Sequence, residues 1–534
     1  MVHVQAYDTT LRDGAQMEGI SLSVADKLRL VTVIDSLGVD YIEGGWPGAI
    51  PKDTEFFRQA ATLAPDIRAR LAAFGSTCKP GISAKDDSQV LALAESGASV
   101  VTLVAKSDPR HVKQALRTSE EENLRMVADT VSFLSSRCEV MVDLEHFFDG
   151  LAFDATYGLN VALAAAQAGA TTVICCDTNG GGLPHSIADA IRAVRTMLDK
   201  EGYADVVVGM HAHNDTGCAV ANTLAAVKAG ARHIQGTVNG YGERTGNANL
   251  LTCIANLQLK MGYDVVPPQG VRNLSSVSHT VAEIANMAAF ARDPYVGHSA
   301  FAHKAGLHAS AIKVNPDLYQ HMEPEQVGNA RRMLVSEMAG RASIELKAAE
   351  LGLDVSHDKE LTGRIAATVK AREAEGYTYD AADASFDLLL REEMGTAPVL
   401  WRIESWKVTT REVTVTPESI FTESEATIKL HAGGRFVTTA EGNGPVNALD
   451  NALRGALRGV YPQVDQFRLR NFKVRILDED RGGTDALTRV LIDTEDSRDI
   501  WTTVGVGTNV IEASWEALLE AYRYGLVRAE VTPA

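Results

Sequence analysis

Cysteine is scarce and badly placed for chemistry. The six residues at 78, 138, 175, 176, 218 and 253 form no C-x-x-C and no other ligand spacing. Cysteine-bound zinc modules and dithiol redox pairs are therefore excluded. The thiols read as reduced, mostly core filler, in a cytoplasmic protein. Positive charge is also in short supply: 51 Lys and Arg stand against 69 Asp and Glu, a formal net charge of −18. A nucleic-acid partner would need a basic face, so none is expected. No apolar run approaches the roughly 20 residues that span a bilayer. The chain opens directly on the strand-like VHVQAY without a basic–apolar leader, so neither membrane nor export is expected. Two phosphate signatures are missing as well. No glycine fingerprint follows the first strand-like run, and the glycine-rich NGYGERTGNANL lacks the GK[ST] ending of a Walker loop.

What the chain does have is alternation. Short apolar runs recur over the first ~265 residues, at Val2–Tyr7, Tyr41–Glu43, Leu71–Phe74, Val100–Val104, Val140–Leu144, Thr172–Cys176, Val206–Met210 and His233–Thr237. Amphipathic helical stretches lie between them, often closed by GA or LG as at helix C-caps. Eight such units predict an α/β fold, a TIM (β/α)8 barrel over residues 1–265. Residues 266–394 read as helical linker subdomains that complete the active site. Residues 395–534 read as an α+β regulatory or dimerisation domain, with strand-like runs and two helices. Here EGNGPVNALDNAL and GVGTNVIEASWEAL align as an internal repeat, pairing Gly442 and Gly444 with Gly505 and Gly507. The four glycines are expected to permit close backbone approach at two turns.

In a barrel, reactive groups sit at the C-terminal ends of the strands, and polar residues cluster there. Asp8, Arg12 and Asp13 follow the first run in DTTLRDGAQ, Glu43 ends the second, and Lys106 follows the fourth. Glu145 follows the fifth, Thr178 the sixth, and His211 and His213 the seventh, in GMHAHNDTG. Side chains two apart on a strand point the same way, so both imidazoles can reach one ion. Asp13 adds charge and Asn247 a neutral oxygen. This set suits Zn²⁺, Mn²⁺, Mg²⁺ or Co²⁺ and does not choose among them. Cys175 and Cys176 belong to another strand and are excluded as ligands. Arg12 is either a structural ion pair or a stabiliser of a developing oxyanion. Glu145 is a general base or a residue that orients water. Glu43 is placed among the substrate-binding residues, where it holds Arg12 or a metal-bound water, and Thr178 binds a substrate carboxylate or caps a turn. His303 and His308 stand in AFAHKAGLH, outside the barrel motifs.

DTTLRDGAQ, HAHND and NGYGERTGN resemble the signatures of the 2-isopropylmalate synthase, homocitrate synthase and citramalate synthase family. YIEGGWPGAIPKDTEFF, LEHFFDG, CDTNGGGLPH, YVGHSAFAHKAGLHASA and EGNGPVNALDNALR resemble its citramalate synthase branch. The resemblance spans nearly the whole chain. It implies an acyltransferase that condenses acetyl-CoA with pyruvate and hydrolyses the thioester, in isoleucine biosynthesis. The alternatives are a 2-isopropylmalate synthase or another 2-oxo acid acetyltransferase, a lyase running related chemistry in reverse, and a non-catalytic amino-acid sensor. It further implies a divalent metal on Asp13, His211, His213 and Asn247, oxyanion stabilisation by Arg12, and carboxylate binding by Thr178. Glu145 is the leading candidate for the base. His308 and Tyr319, after the barrel, match positions associated with catalysis in relatives. Leu103 is expected to wall the pyruvate pocket, while Asp143 stands where some relatives carry an aromatic residue. A homodimer with isoleucine as effector is the implied assembly.

Overall fold

A computed structural model describes residues 1–61, 67–416, 419–477 and 486–534. It divides into two units, Met1–Phe301 with Glu323–Ala330, and Ala302–Met322 with Arg331–Ala534.

The first unit is built on eight parallel strands that close in sequence order. They are β1 (Gln5–Asp8), β2 (Tyr41–Gly45), β3 (Arg70–Ser76), β4 (Val100–Lys106), β5 (Glu139–Glu145), β6 (Thr172–Asp177), β7 (Val207–Ala212) and β8 (His233–Gly236). β8 pairs back onto β1, with Gln5 opposite His233. The predicted barrel is therefore present. β5 and β6 continue past the apolar runs that announced them, so Glu145 and Asp177 are their last residues, and His211 lies within β7. The barrel is filled by Tyr7, Tyr41, Ala72, Val100, Met141, Ile174 and Cys176.

Helices on the outside follow from local sequence. Ser23 caps the helix Val24–Asp35 in a reciprocal box with Asp26, and Leu30, Val31 and Ile34 turn inward. Pro184 starts the helix Pro184–Lys200, whose Ile187, Ile191, Val194 and Leu198 form one buried stripe. Each such side chain contributes about 1.5–3 kcal/mol on burial. The expected boundary at residue 265 falls inside this unit. The helix Leu274–Ile284 belongs to it: Val277 and Val281 are buried, and the Ser278 carbonyl accepts from Asn239 just after β8.

The second unit opens with a short parallel pair, β9 (Ala302–His303) and β10 (Arg332–Met333). A helical cluster follows, with Ile344, Ala348, Ile365, Val369, Phe386 and Leu390 at its centre. Two similar modules come next. β11 (Arg402–Thr416), β12 (Ser419–His431) and β13 (Arg435–Gly442) form an antiparallel sheet that precedes the helix Pro445–Leu457. β14 (Arg468–Ile476), β15 (Thr488–Glu495) and β16 (Ile500–Gly507) form a second, before the helix Val510–Arg528. Ala452, Leu453, Ala517 and Leu518 share one core with Ile428, Leu430, Val490 and Ile492.

The glycine expectation needs correction. A Cβ on Gly442 would meet the Ala448 amide nitrogen at 2.4 Å, and one on Gly505 the Ala513 carbonyl at 2.0 Å. These two let a strand lie against the following helix. Gly444 has nothing within 4 Å, and the nearest atom to a Cβ on Gly507 is at 3.5 Å, so close approach does not require glycine there.

Two other features of this unit matter later. On β14, Phe472, Val474 and Ile476 are exposed although their cross-strand partners Ile492 and Val490 are fully buried and Thr488 nearly so. On the last helix, Glu520 accepts from the Ser385 hydroxyl, which in turn accepts from the Val504 amide at 2.9 Å. Burial pushes the Glu520 carboxyl up to about 8, with Glu516 adding to the effect.

Candidate metal centre

β7 delivers His211, and His213 follows two residues later on the same side. Asp13 comes from the tight turn after β1, at the start of the short helix Gly14–Gln16. The two Nε2 atoms are 3.2 Å apart, and Asp13 Oδ2 lies 3.3 Å from His211 Nε2 and 3.9 Å from His213 Nε2. All three residues are buried, and among the described residues they form the one group of His, Cys, Asp and Glu able to hold a metal ion. Ligand atoms about 2.0–2.2 Å from a common ion take up such separations.

Two observations test the fit. Asn247 sits opposite His213 in a β-bridge, and its Nδ2 donates to the Tyr241 carbonyl at 3.0 Å. Its Oδ1 is buried and, among the described residues, has no hydrogen-bond partner. A buried acceptor left unpaired is costly unless a cation or donor meets it. His211 Nδ1 is engaged with Gln235 Oε1 at 2.8 Å, which leaves Nε2 as the coordinating nitrogen. The donor set therefore fits a hard or borderline divalent ion.

The electrostatics agree. Burial would raise the Asp13 carboxyl, but Arg12 and the His211 hydrogen bond outweigh it and hold the group well below the usual range. Burial would likewise depress His211, yet Asp13 raises it above the ordinary value. His213 is driven down to about 4 by burial and by His211.

Arg12 is fixed from three sides. Its Nε donates to Glu43 Oε2 at 2.6 Å, its guanidinium carbon sits 3.8 Å from the Phe74 ring centroid, and Nη1 is 3.6 Å from Asp13 Oδ1. Glu43 is fully buried and also accepts from the Tyr7 hydroxyl at 2.9 Å. Substrate binding by Glu43 is therefore corrected: it does not line the cavity, and its carboxylate is spent on holding Arg12 and Tyr7.

The cavity has a volume of about 430 Å³. Arg12, Asp13, Glu145, Thr178, His211 and His213 line it, joined by Trp46, Phe74, Val104, Lys106, Asp143 and Cys176. Lys106 and Glu145 end neighbouring strands in register and form an ion pair. The Thr178 hydroxyl oxygen accepts from the His146 amide at 2.8 Å, so its proton is free to be donated. Leu103 is a second correction. It is fully buried, and its register partner Gly75 faces the helix residue Leu93. Residues directly opposite in a sheet share a face, so Leu103 packs under the helices and Val104 forms the wall. A slip of one residue exchanges the faces.

His308 and Tyr319 belong to the second unit, where their rings stack at 4.0 Å; His303 meets His308 edge-on at 6.2 Å. The reading of the sequence missed Gln235, Trp46 and Phe74. Gln235 was findable, since it pairs with His211 in the β7–β8 register and must point inward with it.

Comparison with known proteins gives a consistent answer. Residues 3–281 match the HMGL-like family, 295–376 the homocitrate synthase post-HMGL domain-like family, and 380–526 the LeuA allosteric (dimerisation) domain. An (R)-citramalate synthase of Streptomyces coelicolor is 56% identical over 99% of this chain and 97% of its own length. Those of Synechocystis and Aquifex aeolicus are each 46% identical, over 97% and 99% of this chain and 95% and 98% of their own. The chain belongs to the HMGL-like family, in its (R)-citramalate synthase branch.

Proposed function

We propose that the chain joins the methyl carbon of acetyl-CoA to the keto carbon of pyruvate and hydrolyses the thioester, giving (R)-citramalate and CoA for isoleucine biosynthesis. The observation that carries this reading is the convergence of Asp13, His211 and His213 beside Arg12 at the floor of a 430 Å³ cavity, in a chain of this family.

Asp13, His211, His213 and Asn247 would hold a divalent cation, Mn²⁺, Mg²⁺, Zn²⁺ or Co²⁺, which would supply Lewis acidity toward the 2-oxo acid. The Thr178 proton is donated to the pyruvate carboxylate. Glu145 removes a proton from the acetyl methyl group, with Lys106 fixing its orientation. Arg12, clamped by Glu43 and Phe74, faces the negative charge that grows on the keto oxygen. A preorganised cation there costs no reorganisation during reaction. His308 and Tyr319 are assigned the later proton transfers on resemblance. Val104, Phe74 and Trp46 restrict the space for the 2-oxo acid's side chain. One or two methyl groups are worth only about 1–3 kcal/mol in such a pocket, so preference for pyruvate over 2-oxoisovalerate is set by few contacts.

The second unit supports a homodimer. Phe472, Val474 and Ile476 extend a buried row onto an open strand edge, which a second copy would cover. Isoleucine, the end product of the proposed pathway, is the candidate effector of the LeuA-type domain. The test is release of CoA, followed with a thiol reagent, from acetyl-CoA and each of pyruvate, 2-oxobutanoate, 2-oxoisovalerate and 2-oxoglutarate. Pyruvate-selective release abolished by EDTA is expected; preference for another oxo acid overturns the substrate.

A further inference from the structure

Barrel closure brings a buried chain of polar groups behind the metal ligands. Gln235 Nε2 donates to Asp143 Oδ1 at 3.0 Å, and Gln235 Oε1 meets His211 Nδ1 at 2.8 Å. Gln235 is 1% exposed, so water does not take its place between Asp143 and His211. The logic of donors and acceptors then runs one way. Burial, with Glu43 adding to it, raises the Asp143 carboxyl to about 7, so above that pH it is a carboxylate and only accepts. It therefore draws the amide NH₂ of Gln235 toward itself and turns the amide oxygen toward His211. An oxygen at Nδ1 requires the proton to be on Nδ1, which leaves the Nε2 lone pair facing Asp13 and His213. The opposite amide orientation would put an NH₂ against Nδ1, move the imidazole proton to Nε2 and block coordination.

We infer that Asp143 and Gln235 are positioning residues that lock His211 into its metal-binding tautomer. This rests on the reading of Asp13, His211 and His213 as a metal centre, and it extends that centre across the barrel to β5. Outer partners of metal-bound histidines are worth about 10–100-fold in affinity.

The experiment is Mn²⁺ binding by calorimetry at pH 8, where Asp143 is a carboxylate, to full-length, chelator-stripped protein without substrates, which separates this inference from the choice of oxo acid. Asp143→Asn has no change in size but can present either a donor or an acceptor to Gln235. It is expected to weaken binding about tenfold or more. Gln235→Met keeps the Asp143 charge and severs the relay, and the same loss is expected; a mere field effect of Asp143 would leave this variant near wild type. The double variant Asp143→Asn with Gln235→Glu exchanges donor and acceptor roles and is expected to recover affinity. Both single variants binding within threefold of wild type would overturn the inference. Should a variant fail to fold, the wild type decides: in ¹⁵N-histidine-labelled, Zn²⁺-loaded protein His211 is expected with its proton on Nδ1 and the metal on Nε2, and coordination through Nδ1 overturns the lock. Failure of the wild type to bind Mn²⁺, Zn²⁺ or Co²⁺ would remove the metal centre and the lock together.

Discussion

The barrel mouth and the C-terminal modules break the ordinary inside–outside rule in opposite directions. At the mouth, Asp13, Glu43, Asp143, His211 and Gln235 are polar and buried. On β14, Phe472, Val474 and Ile476 are apolar and exposed. A buried polar group is tolerated only where something pairs with it, and an apolar row is left in water chiefly where something covers it. The first exception points to a small charged ligand, the second to another protein surface. Chemistry and assembly are thus written in different residue classes on one chain.

The sharpest way to break this contrast is at the mouth. His211→Ala should abolish metal binding and lower CoA release by about a thousandfold or more, since Lewis-acid polarisation is worth several kcal/mol. Sedimentation should show its oligomeric state unchanged. The reverse dissociation is expected from Phe472→Asp. A charge in the apolar row should raise the dimer dissociation constant by about a hundredfold, while calorimetry finds Mn²⁺ affinity intact. Activity lost with an undisturbed dimer in the second variant would undo the separation of roles.

Smaller effects test the modules themselves. Gly505→Ala forces a methyl group onto the Ala513 carbonyl and should cost about 1–3 kcal/mol in denaturant unfolding, whereas Gly507→Ala should stay within about 0.5 kcal/mol. Glu520 gives the smallest signal. Its folded-state carboxyl is raised to about 8 against an ordinary value of 4.5, so the folded state keeps a proton that the unfolded state releases. The stability from the neutral form is complete below about pH 4.5 and is lost as pH rises toward 8. Glu520→Gln should therefore melt higher than wild type at pH 8, with the difference gone by about pH 4.

Much of this was legible from the residues. The eight strands could be read because each is an apolar run bounded by turn chemistry, and the H-x-H pair because a strand repeats every two residues. The faces within a run were harder. VVTLV carries apolar side chains on both faces, since it is covered inside and out, and Thr102 is the one local mark that separates the face of Val104 from that of Leu103. Asp143 and Gln235 stand 92 residues apart, and only closure of the barrel makes them neighbours. Gly442 and Gly444 look alike in a G-x-G pair. Which one touches the helix depends on where β13 stops, a boundary the sequence does not mark.

The unpaired Oδ1 of Asn247 and the facing imidazoles of His211 and His213 carry a thermodynamic consequence. Whatever cation satisfies them binds the folded chain and finds no such cluster in the unfolded one. Unfolding and ion concentration are therefore linked. At a free ion level a hundred times the dissociation constant, the barrel gains about 2.7 kcal/mol. Melting temperature then becomes a gauge of the ion, readable without substrate or turnover.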